Sequence, residues 1–297
     1  MQKLHAKILL KMSAKFNTTE VEKLAELRKR IGDKLVRDYQ KDDEFLIKWL
    51  RARSMNVDQA EKMLTNHLEW RKTNEIDGIE EREEFPEKYR SKFPYAVCGQ
   101  DADGCPLIIF PAGRHDIKTI LETETVASVT RLNILMMEKI YALMRENSKK
   151  VGKPVTQVLE IMDFEGIDYA QMTSKKYLEL MMESQKVFND NYPEMIKKAF
   201  VVNAPKVFAV IFNVMKPLIP KETLDKIEIF GSDKSQWKAA IAEAGLPLDI
   251  IPPHWGGTMQ GTDDLCSQSD IWVHGKLNLH DFNVGRWQSN ELMQVHL

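Results

Sequence analysis

A hydroxyl and an ammonium directly follow the most apolar segment of this 297-residue chain. Thr223 and Lys226 stand after VFAVIFNVMKPLI, residues 207–219. They form a polar pair beside a segment that is almost wholly apolar. The segment before them carries apolar residues on nearly every helical face. Such a helix is either buried in a core or lies over something apolar. It is too short and too interrupted to span a bilayer, which takes about 20 apolar residues. Pro205, Pro217 and Pro220 limit its continuation and mark hinge points. A core helix and a lid over an apolar ligand both fit this pattern.

Catalytic chemistry is not visible. The chain has no GxSxG, HExxH, GxxxxGK[ST] or GxGxxG. Asp101-x-Asp103-Gly104 looks like part of a calcium loop, but the position needing a bidentate Glu falls on Phe110, and a hairpin turn explains the run better. His254, beside Trp255, has no nucleophile near it in sequence and reads as structural. Cys98, Cys105 and Cys266 have neither metal spacing nor a disulfide framework, which points to a reducing compartment. Cys98 and Cys105 flank the hairpin turn and read as unpaired thiols. The expectation is a binding protein with no enzymatic activity, cofactor or metal.

Composition narrows the class further. Hydrophobic residues make up 43% and charged residues 29%, as in an ordinary globular protein, and the net charge of −2 argues against a nucleic-acid binder. There is no run of 18 apolar residues and so no predicted transmembrane helix. Within residues 1–17, Lys3, Lys7, Lys11 and Lys15 repeat beside Leu4, Ile8, Met12 and Phe16. That spacing gives a basic amphipathic extension suited to an anionic membrane surface, or an ordinary terminal helix.

Two regions must position these residues. Residues 18–78 read as a bundle of three or four helices, with Asp42 or Asp43 capping the helix that holds Trp49. From residue 79 to 259 strands and helices alternate. Strands are predicted at 95–98, 107–110, 155–162, 199–202 and 227–230, and helices at 122–146, 174–188, 205–218 and 235–244. This predicts an α/β fold with a largely parallel sheet. Gly256 and Gly257 close the region and imply a positive φ or a close backbone approach. Residues 260–297 stay unassigned.

Several motifs occur in one order: LRAR at residues 50–53, EWRK at 69–72, MDFEG at 162–166, YPE at 192–194, NAP at 203–205, KP at 216–217, KIEIFGS at 226–232 and GGT at 256–258. In that order and spacing the chain resembles the CRAL-TRIO lipid-binding and lipid-transfer family over about residues 16–259, and within it the branch of supernatant protein factor. The C-terminal GOLD-type domain of that branch is not expected in the last stretch here. The resemblance implies an α/β domain after a helical bundle, with an apolar lipid cavity closed by a mobile gate helix. It also implies a cytoplasmic carrier, probing membranes peripherally as a monomer, that moves phosphatidylinositol or another phospholipid. Its alternatives are a carrier of tocopherol, a retinoid or another isoprenoid, and a regulator that presents lipid to a partner. Arg53, Glu194, Thr223 and Lys226 match the family's inositol-phosphate positions, while Met195 departs from the Arg of some relatives.

A two-chain lipid exposes roughly 30 methylenes at about 0.8 kcal/mol each, so its chains must be almost fully enclosed. Val207, Phe208, Val210, Ile211, Phe212, Val214, Met215 and Leu218 are the expected gate and cavity residues. Met136, Met181 and Met182 are expected in the cavity wall, as adaptable thioether surface.

Overall fold

The computed structural model describes residues 16–90 and 92–259. The lysine stripe up to Lys15, Cys266 and residues 260–297 lie outside the described residues. By its contacts the chain divides into two compact units. One holds residues 16–79 with Val187–Glu194, and the other holds Glu80–Lys186 with residues 195–259.

The first unit starts from a reciprocal cap. The Asn17 side chain accepts from the Glu20 amide at 3.0 Å, and Glu20 accepts from the Asn17 amide at 3.1 Å. Helix α1 (Thr18–Ile31) then buries Leu24, Leu27 and Ile31. Helices α2 (Asp43–Arg51) and α3 (Val57–Thr73) supply Leu46, Trp49, Leu50, Ala60 and Leu64 to the same core. Asp42 occupies the N-cap of α2 without a side-chain capping bond to that helix, whereas Asn56 caps α3 by accepting from the Gln59 amide. The sequence places residues 187–194 in the second region, but here they belong to the first unit. Asn191 Oδ1 lies 3.0 Å from His67 Nδ1, and Tyr192 stands edge-on to Trp70. These aromatic and amide partners are far apart in sequence, so no local pattern announces them.

The second unit is built on a five-stranded sheet, β1 (Ala96–Gln100), β2 (Pro106–Phe110), β3 (Val158–Asp163), β4 (Ile196–Val202) and β5 (Ile227–Ile229), in that spatial order. Strands β1 and β2 are antiparallel and all other neighbours are parallel. The α/β class with a mostly parallel sheet is the predicted one. The predicted helix 122–146 is α5 (Val126–Val151), and a separate short helix, α4 (Ile117–Thr123), precedes it. Glu124 is extended, and the Thr125 side chain caps α5 by accepting from the Ser128 amide. A threonine cap after Glu122-Thr123-Glu124 is easily missed, because the same residues are tolerated within a helix. Helices α6 (Lys175–Asn191), α7 (Lys206–Met215) and α8 (Lys234–Glu243) follow, and single helical turns stand at Ile79–Arg82, Glu87–Arg90, Tyr169–Met172 and Lys221–Leu224.

The β1–β2 turn has no vacancy for calcium. Asp101 Oδ1 accepts from the amides of Asp103 and Cys105, and Lys197 Nζ donates to Asp101 at 2.6 Å and Asp103 at 2.7 Å. Cys98 and Cys105 are free and buried, and burial pushes their thiols up to about 12 and about 11.

Register decides which residues share a sheet face. Ile108, Glu160, Ala199 and Ile227 align across β2 to β5, as do Phe110, Met162, Val201 and Ile229 two residues further on. Ile109, Ile161, Phe200 and Glu228 form the row between them and point to the opposite face.

Candidate functional site

The apolar segment becomes α7 followed by a 3₁₀ turn, Lys216–Leu218. Pro205 occupies the N-cap in extended conformation, and Pro217 lies in the turn that ends the helix. No residue of α7 is buried, so the core-helix reading is set aside. The helix has two different faces instead. Val207, Phe208 and Ile211 pack on a cluster of Ala112, Phe164, Met172 and Val201, joined by Met162 and Ile227 from the sheet. The Phe208 ring lies 4.8 Å from Phe164 and stacks on Phe212 at 5.7 Å. On the other side Val210 is 64% exposed, Val214 59% and Leu218 41%. Met215 and Phe212 are half-buried, four residues on from Ile211 and Phe208 of the inner row. Three large apolar side chains at four-residue spacing form a solvent-facing ridge that burial would stabilise by about 1.5–3 kcal/mol each.

Thr223 and Lys226 are brought together. A helical turn, Lys221–Leu224, holds Thr223, and its carbonyl accepts from the Lys226 amide at 3.0 Å. The Lys226 carbonyl in turn accepts from the Ala199 amide at 2.9 Å, which ties the pair to the middle of β4 at the entry of β5. Arg53 and Glu194 belong to the first unit. Arg53 lies in the turn after α2 and donates to the Ala52 carbonyl at 2.8 Å. Glu194 has a φ of 58°. The left-handed region is costly for a residue with a Cβ.

The three methionines lie elsewhere than beside α7. Met136 is buried on α5, Met181 packs on a cluster around Phe85, Tyr89 and Tyr177, and Met182 is 47% exposed on α6. None of them is among the residues packed with the inner face of α7. Helical spacing places a methionine on a face but does not say what that face meets.

Two features escaped the sequence reading. The first is Glu160. It lies half-buried on the face that α7 covers, and burial pushes its carboxyl from the ordinary 4.5 up to about 7. The sequence signal was present, as a single charge within the apolar strand VLEIMD. The second is a polar clasp at the end of β3, where MDFEG, NAP and HWGGT meet. Asp163 Oδ1 accepts from Asn203 Nδ2 at 2.8 Å and from the Glu165 amide at 2.9 Å, and Oδ2 accepts from Trp255 Nε1 at 3.0 Å. His254 Nε2 lies 3.5 Å from Asp163 and 3.4 Å from Glu165, whose other oxygen accepts from Lys234 at 2.8 Å. Burial alone would raise the Asp163 pKa, but these donors prevail and hold it below the usual carboxylate range. Asp163, Glu165 and His254 are metal-ligand types, yet Lys234 and the neutral donors already satisfy the two carboxylates. These contacts fasten the end of β3 to Asn203 and to the His254–Trp255 segment.

Beside the clasp, Gly256 has a φ of 92°, and a Cβ built on Gly257 would overlap the Ile251 carbonyl. The chain is held there by Thr258 donating to the Leu248 carbonyl at 2.7 Å and Met259 to that of Ile251 at 3.1 Å.

Comparison with known proteins agrees with this architecture. "Protein real-time" of Anopheles gambiae is 28% identical over 260 residues, covering 88% of this chain and 38% of that protein. Its counterpart in Aedes aegypti is 28% identical over 236 residues, covering 80% of this chain and 36% of that protein. The chain thus spans less than two-fifths of the length of these relatives. The crystal structure of Sfh5 superposes with a TM-score of 0.62 at 18% identity, over 76% of this chain and 84% of that one, a likeness of fold. The family model for the CRAL/TRIO, N-terminal domain matches residues 5–66. The CRAL/TRIO domain model matches residues 90–257, more than half of the sequence and the span that holds the sheet, α7 and the clasp, and the chain belongs to the CRAL/TRIO family.

Proposed function

We propose that this protein is a carrier, not an enzyme, that binds phosphatidylinositol or another phospholipid on the sheet face beneath α7 and transfers it between membranes. Membership of the CRAL/TRIO family supports lipid binding and transfer in general. The observation that carries the finer reading is the two-sidedness of α7. Its inner row rests on an apolar floor, while Val210, Val214 and Leu218 present an apolar ridge outward. A helix with apolar partners available on both sides can leave the floor for a bilayer at little cost in exposed area, which is what a gate needs. Residues 207–219 are that gate, and its outer ridge touches the membrane during exchange. The protein works in the cytoplasm with transient, peripheral membrane contact.

Thr223 and Lys226 supply the hydroxyl and ammonium for the headgroup phosphate. The same role for Arg53 and Glu194 rests on their family motifs, and single alanine substitutions test each of them.

Native mass spectrometry with lipid extraction of the purified chain, run alongside a vesicle-to-vesicle transfer assay, tests the reading. A bound phospholipid, and transfer that falls at least tenfold in Phe212→Asp with the fold intact, is the expected result. Absence of any bound or exchangeable lipid overturns the carrier, and unchanged transfer in Phe212→Asp overturns the gate.

A further inference from the structure

Glu194 holds a backbone conformation that a residue with a Cβ keeps only under constraint, with a φ of 58°. Such strain persists where the surroundings fix it, and it gathers at ligand-holding positions. After Glu194 the sheet does the fixing. Met195 is buried, and its carbonyl accepts from the Val158 amide at 2.8 Å as β4 begins. Before Glu194 the fixing falls to Asn191 and Tyr192, both buried in the first unit. Tyr192 donates its amide to the Phe188 carbonyl at 2.8 Å and stands edge-on to Trp70 of α3. Asn191 donates through Nδ2 to the Val187 carbonyl at 3.1 Å, which turns its Oδ1 to His67 Nδ1, 3.0 Å away. An amide oxygen only accepts, so the donor is His67 Nδ1–H.

His67 therefore reaches two segments at once. Its ring lies 4.6 Å from Trp49 of α2, four residues before Arg53, and its Nδ1 holds Asn191, three residues before Glu194. Burial lowers its pKa to about 3, so the imidazole stays neutral and keeps that one donor. A histidine is a costly way to fill this space. Its ring neighbours are Trp49 and Trp70, and an apolar side chain would pack between them without desolvating two ring nitrogens. What the histidine adds is a directed bond to Asn191. We propose that His67 is a positioning residue, whose Nδ1–H bond to Asn191 sets the segment that presents the Glu194 carboxylate to the hydroxyls of an inositol headgroup. This rests on the headgroup reading of Glu194. The quaternary ammonium of choline has no hydrogen to donate, so a displaced Glu194 costs selectivity for inositol and not the capacity to hold a lipid.

Phosphatidylinositol and phosphatidylcholine with the same acyl chains, offered together in mixed vesicles to the full chain and counted by native mass spectrometry, give a preference ratio. His67→Leu removes the donor and keeps roughly the same bulk. His67→Asn shrinks the side chain but keeps an N–H at the same distance from the backbone. The leucine variant is expected to lower the preference for phosphatidylinositol about tenfold, as for a lost hydrogen bond to a charged group, and the asparagine variant to retain it. Glu194→Ala is expected to lower the preference by a similar factor. The double variant His67→Leu/Glu194→Ala should fall no further, because two changes acting on one contact do not add. Should the leucine variant fold poorly, Asn191→Leu breaks the same bond from its other end and is expected to give the same loss. A preference kept in His67→Leu but lost in Glu194→Ala, or losses that multiply in the double variant, overturns the positioning role and leaves Glu194 in place. Equal loss of both lipids in His67→Leu reduces His67 to packing. A ratio unchanged in Glu194→Ala overturns the headgroup reading of Glu194 and the positioning role with it. If neither lipid loads into the wild type, the carrier reading itself fails.

Discussion

Glu160 and His67 give the stability of the chain opposite dependences on pH. The Glu160 carboxyl, among apolar neighbours on its own face and under the apolar inner row of α7, is pushed from 4.5 up to about 7 by burial. The folded state therefore binds its proton more tightly than the unfolded one, and stability is lost as pH rises from the ordinary carboxylate range through 7. Glu160→Gln should raise the melting temperature at pH 8 by several degrees, on the order of 2 kcal/mol, and change little at pH 5. His67 is lowered to about 3 by burial, reinforced by the nearby charges of Arg71 and Lys48. Here the unfolded state takes the proton first, so stability is full above about 6.5 and is lost as pH falls toward 3. Replacing His67 with Gln should flatten that acid limb, removing about 3 kcal/mol of the change between pH 7 and pH 4 in urea titrations. At the headgroup, Lys226→Ala should weaken phosphatidylinositol binding roughly ten- to a hundredfold, the worth of a charge-assisted bond, and spare phosphatidylcholine. Equal loss for both lipids would mean general destabilisation.

At the scale of elements, α7 and the closing segment behave differently under substitution. Val210 and Val214 face solvent, so placing Asp at both should leave the thermal melt within about a degree of wild type. The same change should slow vesicle-to-vesicle transfer severalfold, because two charges on the ridge resist the bilayer. A melt that drops sharply would instead place these side chains in a packed interface. Gly257 offers the converse case. Its backbone passes so close to the Ile251 carbonyl that any Cβ forces one segment to move. Gly257→Asp should cost about 3 kcal/mol or more, giving a protein that is folded when cool and loses transfer on warming. A melt indistinguishable from wild type would show that residues 256–259 are only a loose connection.

For the whole molecule the expectation is thermodynamic linkage. A lipid that binds only the folded state, present at 100 times its dissociation constant, adds about 2.7 kcal/mol to stability. Loaded protein should therefore melt several degrees above protein stripped of lipid. The same stability shift for a detergent at matched concentration would reduce the effect to unspecific coverage of the apolar floor.

Much of the molecule is legible along the chain because it depends on neighbours in sequence. Helical and strand periods, proline and glycine punctuation and the alternation of elements fix the α/β class and the parallel sheet, and the ordered motifs point to the family. The apolar segment is also legible as helical, although the α-helix ends at Met215 and a 3₁₀ turn, Lys216–Leu218, replaces the rest of the helix expected over 207–219. Register was not legible, since pairing Glu160 with Ile108 and Ala199 is a choice among distant strands, and a slip of one residue would turn its side chain to the other face. Nor was the use of an all-apolar helix by two unlike surroundings, or the grouping of 187–194 with the first unit. The convergence of Asp163, Asn203, His254 and Trp255 was hidden for the same reason. The sequence by itself determined which elements form and which residues are available, because local backbone preference and periodicity act over a few residues. Only the tertiary structure decided what each side chain faces, because that depends on non-local pairing, where packing and hydrogen bonding select one arrangement from many that the local pattern allows.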